Sequence, residues 1–139
     1  MKAFWVSGIL LTIVVLIASC ESGQQIEFKR YFTAGREIYL AQCQNCHGES
    51  GQGLAALIPP LTDSVYLKAN KHLLACYLKN GLKGKITIHG KEFDDQMPAN
   101  ANLAPIQIAE VLTYITNSFG NKQGLINDDA IEQDLKNCK

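Results

Sequence analysis

Cys43-Gln44-Asn45-Cys46-His47 is the stretch on which the reading of this chain turns. The pattern Cys-x-x-Cys-His is the attachment signature of haem c. Two thiols add across the two haem vinyls, and the histidine that follows reaches the iron from one face. The two intervening residues let both sulfurs meet one porphyrin edge. Cys43 and Cys46 are therefore the expected covalent anchors, and His47 the expected first iron ligand.

Other chemistries use the same spacing. A thioredoxin-like dithiol belongs to a strand–helix context, whereas here a helical pattern, Thr33 to Gln42, runs into Cys43. A structural zinc site needs four ligands. No second Cys-x-x-Cys pair exists, and His72 and His89 stand at no zinc spacing. A plain disulfide between the two cysteines would leave His47 incidental.

One motif implies one haem, and the sixth iron position then decides what the protein does. The chain has two methionines. Met1 leaves with the leader described below, so Met97 is the thioether candidate. It lies on an irregular segment, Gln96-Met97-Pro98, well downstream of the motif. A gap-filling core methionine is the plainer use of such a residue. His72 and His89 compete for the same position. His89, at a lysine-rich turn, reads as a surface residue, and His72 lies on a short helix beside its apolar face.

Upstream, Phe4 to Ala18 is a nearly unbroken apolar run behind a single charge, Lys2. It is short for a transmembrane helix, which needs ~20 apolar residues. A basic start, an apolar run and small residues describe an export signal. The run ends Leu16-Ile17-Ala18-Ser19-Cys20. These residues resemble the recognition box of bacterial lipoproteins, in which the cysteine becomes the lipidated first residue. A soluble exported protein and a retained membrane helix are the alternatives. The expected organisation is a signal peptide over residues 1–19, a lipidated start and polar tether over 20–31, a domain over 32–120 and a C-terminal extension over 121–139.

The 139 residues suit one compact domain. Lys+Arg and Asp+Glu both number 13, so the formal charge is zero. That balance gives no case for nucleic acid binding. Residues 64–91 hold Lys68, Lys71, Lys79, Lys83, Lys85 and Lys91 without an acid. Residues 92–139 hold eight acids against three lysines. Such a division can orient an acidic partner through its field. It is equally the pattern of a surface on which signs cluster locally.

Helices are expected over Thr33–Gln42, Asn70–Asn80 and Ile106–Phe119, with a helical turn near 62–67. Asn70 is a plausible cap for the second. A small hairpin or extended loop is expected over Lys85–Phe93, turning at Gly90. A short acidic helix should begin near Asn127, with Asp128 and Asp129 favourably at its amino end. Gly35 inside the first helix lowers propensity by roughly 1 kcal/mol relative to Ala, which suggests a close helix crossing. The body is small for a self-sufficient core and would gain from a large flat apolar cofactor at its centre.

The quoted pieces GREIYLAQCQNCHGESGQG, PPL, GLKGKITIHGKEFDDQMP and IQIAEVLTYI, in this order, resemble the small single-haem cytochromes c of class I. The resemblance spans roughly Phe32 to Phe119. It implies an all-α fold of short helices around one haem, with His47 and Met97 as axial ligands. It also implies that the carbonyl of Pro59 supports the other ring nitrogen of His47, and that Leu61 packs on the haem. Gly35 and Tyr39 would cross the last helix of the domain near Val111 and Tyr114. The implied role is one-electron transfer rather than enzymatic turnover. The expected partners are membrane redox proteins: a quinol-oxidising complex, a terminal oxidase or a periplasmic reductase. A fixed haem subunit of a larger complex is one alternative, and an open-site haem enzyme or sensor is another. The lipoprotein-like start, the tail beyond Gly120 and the cysteines 76 and 138 depart from the family pattern. An exported compartment permits a disulfide between Cys76 and Cys138, which would pin the tail. It requires Cα atoms within about 7 Å, a distance no sequence gives.

Overall fold

The computed structural model of the chain describes residues 22–138. Its elements are α1 (Gly23–Gln42), α2 (Gln44–His47), α3 (Ser64–Ala69), α4 (Leu74–Asn80), β1 (Ile86–Ile88), β2 (Lys91–Phe93), α5 (Pro105–Ile115) and α6 (Asp128–Lys136). Among the described residues the fold is mostly helical, with one small antiparallel hairpin, consistent with a class I cytochrome c fold.

Helix α1 corrects the sequence reading. It begins at Gly23, not at Thr33, so much of the expected polar tether is helical. The Ser22 side chain caps it, accepting from the backbone N–H of Gln25 at 3.3 Å. Phe28 stacks one turn from Phe32, with ring centroids 5.7 Å apart. Tyr31 is buried and donates its hydroxyl to Asp128 at the start of α6, at 3.2 Å. The part of α1 before Thr33 is thus stabilised by tertiary contact, which a propensity reading does not see.

Helix α5 is the centre of the core. Ile108, Ala109, Val111 and Thr113 are fully buried along it. Pro105 stands at its first position, and the Gln107 side chain accepts the N–H of Ala104 at 2.9 Å. The helix ends at Ile115, earlier than the expected Phe119, and Thr116–Phe119 continue as turns.

Helices α1 and α5 cross at Gly35. A Cβ at residue 35 would overlap the carbonyl of Glu110, and it would stand 3.0 Å from the Cβ of Tyr114. Only a residue without a side chain lets the two backbones approach so closely. Tyr39, Tyr114 and Phe119 close the crossing, with ring centroids 5.3–5.8 Å apart.

Helix α4 starts at Leu74 rather than Asn70, because residues 70–73 form a turn. Strands β1 and β2 pair Ile86 with Phe93 and Ile88 with Lys91. His89 and Gly90 both have positive φ, 48° and 73°. That is the signature of a two-residue I′ turn, whose twist suits a hairpin.

Helix α6 begins where expected, with Asn127 as its cap and Asp128 and Asp129 in the first turn. Its Ile131 is buried. Thr113 of α5 holds the irregular segment before α6, donating to the carbonyl of Ile126 and accepting its N–H, at 3.2 and 3.0 Å. Among the described residues no helix is long and apolar enough to cross a membrane.

Candidate haem crevice

Cys43 closes α1, its N–H bonded to the carbonyl of Tyr39 at 2.9 Å. The next turn, α2, carries Cys46 and His47. A helix, not a strand, therefore leads into the motif. Cys43 is buried, Cys46 is exposed, and neither is disulfide-bonded. Burial, followed by the neighbouring Cys46, pushes the Cys43 thiol up to about 11.

His47 is 8% exposed. Its Nδ1 lies 3.2 Å from the carbonyl oxygen of Pro59. An N–H at Nδ1 donating to that carbonyl leaves Nε2 as the ligating nitrogen. Burial lowers the His47 pKa, against the raising effect of the Pro59 bond. The neutral imidazole, the form that binds a metal, is favoured. Tyr39, fully buried, donates its hydroxyl to the carbonyl of Gly48 at 2.6 Å and so fixes the turn just beyond His47.

His47 opens onto an apolar crevice that also receives Cys43, Leu61, Tyr66, Leu82 and Met97. The inner part encloses ≈ 660 Å³ between atoms, its open mouth included. An outer part adds Cys46, Phe93 and Gln96 to the same His47, Leu82 and Met97. Several elements contribute walls: α3 gives Leu67, α4 gives Leu74 and Leu78, the hairpin gives Ile86 and Ile88, and α5 gives Leu112.

Met97 is half-buried, on a segment joined to Leu82 by a reciprocal pair of backbone bonds, each 3.0 Å. Gly81, at φ 77°, lies against this segment, and a Cβ there would stand 2.6 Å from the Met97 carbonyl oxygen. The structure thus brings Cys43, Cys46, His47, Pro59, Leu61 and Met97 around one crevice.

The donor set suits haem c. It offers two free thiols beside a neutral imidazole, a thioether on the same crevice, and otherwise apolar walls. Among the described residues no group of three or more His, Cys, Asp or Glu could hold a metal ion by itself, so the zinc alternative finds no ligand set there.

The other histidines are occupied elsewhere. His72 contacts Asp134 of α6 at 3.0 Å. His89 is mostly exposed but places Nε2 3.1 Å from buried Asp63. Asp63 is a residue the sequence reading passed over. Its Oδ1 accepts the N–H groups of Val65 and Tyr66, both at 3.0 Å, and caps α3. An Asp directly before a helical turn was the signal that could have found it. Asn121 was also missed. It is buried and donates to the carbonyls of Leu61 and Ile115 at 2.9 and 3.1 Å, tying the tail to the crevice wall.

Cys76 and Cys138 are joined by a disulfide with Cα atoms 5.5 Å apart, which ties α4 to the end of α6. The lysines are less uniform than their run in sequence. Lys85 pairs with Glu92 at 3.2 Å. Lys91 donates to the Ala55 carbonyl at 2.7 Å and lies over the Phe93 ring. Lys79 donates to two carbonyls of the Met97 segment's far end. Lys71 and Lys83 are exposed, and Lys68 borders a separate surface depression beside Lys122. Cys20 lies outside the described residues.

A family model described as cytochrome c matches residues 32–118, more than half of the chain. The chain belongs to the cytochrome c family. Its similar relatives include two proteins named cytochrome c-552, both from Thermus thermophilus. Each is 34% identical over 91 residues, or 63% of this chain, and the match spans 69% and 61% of the relatives' lengths. Cytochrome c family proteins are electron carriers with covalent haem c, not enzymes. The matched region of this cytochrome c begins at Phe32, inside α1, and ends before the tail that carries α6.

Proposed function

We propose that this chain is a one-electron carrier whose single haem c is bonded through Cys43 and Cys46 and ligated by His47 and Met97. The observation that carries the reading is that His47, oriented by Pro59, and Met97, held against Leu82, open onto the same apolar crevice as the two thiols.

When bound, the haem supplies an Fe(II)/Fe(III) couple for exchange of single electrons. The protein's residues do the rest. Pro59 holds the His47 ring in one tautomer and one plane. Met97 would supply the second protein ligand to the iron, which would leave no position for a substrate. Leu61 and its apolar neighbours exclude water, which keeps the local dielectric low.

A lipid at Cys20 would hold the domain on the periplasmic side of a bacterial membrane, with residues 1–19 as the signal that exports it. Tethering raises effective concentration at membrane partners without new contacts. Those partners are a quinol-oxidising complex, a terminal oxidase or a periplasmic reductase. Lys68, Lys71, Lys79, Lys83, Lys85 and Lys91 would draw an acidic partner, and added salt should slow that reaction.

The test is a visible and near-infrared spectrum of the mature protein, purified by gentle solubilisation of membranes. A low-spin reduced spectrum, with a sulfur-to-iron band when oxidised, is expected. High-spin haem that binds carbon monoxide rapidly would overturn the ligand assignment and favour an open-site protein.

A further inference from the structure

The segment that carries Met97 is weakly held on one side. Asp94, Asp95 and Gln96 before it, and Pro98 and Ala99 after it, are all exposed. What fastens it is the carboxyl-terminal end of α4. The Met97–Leu82 pair and the close approach of Gly81 hold its near end. The N–H of Asn100 donates to the carbonyl of Leu78 at 2.8 Å. Beyond that, the Lys79 ammonium donates to the carbonyls of Ala101 at 2.6 Å and Leu103 at 2.9 Å.

Lys79 sits in the last turn of α4, where a lysine commonly serves its own helix end. Its acceptors lie instead 22 and 24 residues further on. Its side chain is half-buried, and Leu103 beside it is a core residue. An ammonium on two carbonyls is a charge-assisted arrangement, stronger than neutral pairs. Lys79 therefore clamps the downstream end of the loop to the same helix whose next residues, Gly81 and Leu82, touch Met97.

We infer that Lys79 is a positioning residue for Met97, and that it keeps the thioether on the iron by clamping residues 101–103 to the end of α4. The inference rests on the reading of Met97 as axial ligand. It gives Lys79 a use inside its own fold beside the docking proposed for the whole run of lysines.

The experiment uses the oxidised mature protein and titrates imidazole as a competing ligand, following the sulfur-to-iron band. Imidazole binds only after Met97 leaves, so its apparent affinity scales with the detached fraction. Lys79→Met, which keeps the apolar stem, should raise that affinity about tenfold, the scale of one charge-assisted hydrogen bond. Lys79→Arg, which keeps the donors, should restore most of the wild-type value. In Lys79→Met the amides of Met97, Asn100 and Leu103 should exchange hydrogen faster together, while those of α1 and α5 do not change.

A Lys79→Met protein with the wild-type imidazole affinity and wild-type exchange in the loop overturns the positioning role, and so does one that loses only overall stability. If wild type itself lacks the sulfur-to-iron band, the ligand reading fails and takes this inference with it. A wild type with the band but an unaffected variant removes the inference alone.

Discussion

Nδ1 of His47 and the carbonyl oxygen of Pro59 stand 3.2 Å apart across a separation of 12 residues. The loop between them folds back on itself: Gly53 donates to the His47 carbonyl at 2.8 Å, and Leu61 donates to that of Gly51 at 2.8 Å. The bond sets which ring nitrogen is available, and the loop sets where the ring lies. Met97 comes from a different part of the chain and depends on α4 for its place. Of the two proposed ligands, the thioether is the one held by a segment remote from the motif.

Met97→Ala should therefore leave the covalent haem in place and open one axial position. Carbon monoxide should bind the reduced variant at least about tenfold faster than wild type, since the binding-competent fraction rises toward one. Stopped-flow mixing measures it. Equal rates in the two proteins would remove Met97 from the iron.

Gly35→Ala should cost about 1–3 kcal/mol, the usual range for overpacking a tight contact. The added Cβ has no room beside the Glu110 carbonyl, so α1 and α5 must separate. Guanidinium melts of the holoprotein would show a lower midpoint with an intact haem spectrum. A midpoint equal to wild type would mean that the crossing is looser than its geometry implies.

Much of this arrangement is legible in the sequence, and the misses have physical causes. Cys-x-x-Cys-His, Met97 and the α5 pattern are local signals, and the glycine at 35 marks its crossing without any structure. The part of α1 before Thr33 is not visible in composition, because Glu21–Arg30 is mostly polar. Its apolar residues Phe28, Tyr31 and Phe32 stand at helical spacing and meet Gly35 and Tyr39 on one face. That period was the available signal. Asn70 looked like a cap, but the cap and turn signals of 70–73 belong to the link between α3 and α4. Lys79 could not be told from its neighbours, since its acceptors are backbone carbonyls distant in sequence.

The disulfide between Cys76 and Cys138 closes a separation of 62 residues. Cys138→Ser should cost about 2–4 kcal/mol through the freer unfolded chain. It should also loosen α6, whose other contacts include Ile131 and Leu135 against the core, Tyr31 on Asp128 and His72 on Asp134. Denaturant melts and amide exchange in α6 report both effects. Intact mass of the unreduced wild type, two hydrogens below that of the reduced chain, verifies the bond.

Tyr39 gives a pH prediction. Burial, chiefly, raises its phenol from 10.0 to about 12. A raised folded value favours the neutral form. The resulting stability is complete below pH 10 and is lost as pH rises through about 12. Tyr39→Phe should lose about 1 kcal/mol at neutral pH with the hydrogen bond to Gly48, and its stability should fall less steeply above pH 10. Melts from pH 7 to 12 compare the slopes, and parallel slopes would contradict the assignment.

The most direct measurement is the mass of the peptide spanning Cys43 to His47, cut from mature protein under denaturing conditions. The protein must come from a host able to mature cytochromes c. The expected result is one haem's added mass that survives denaturation and organic extraction, and that is absent when Cys43 and Cys46 are both replaced by Ala. A peptide of unmodified mass, with both thiols free to alkylate, would contradict it.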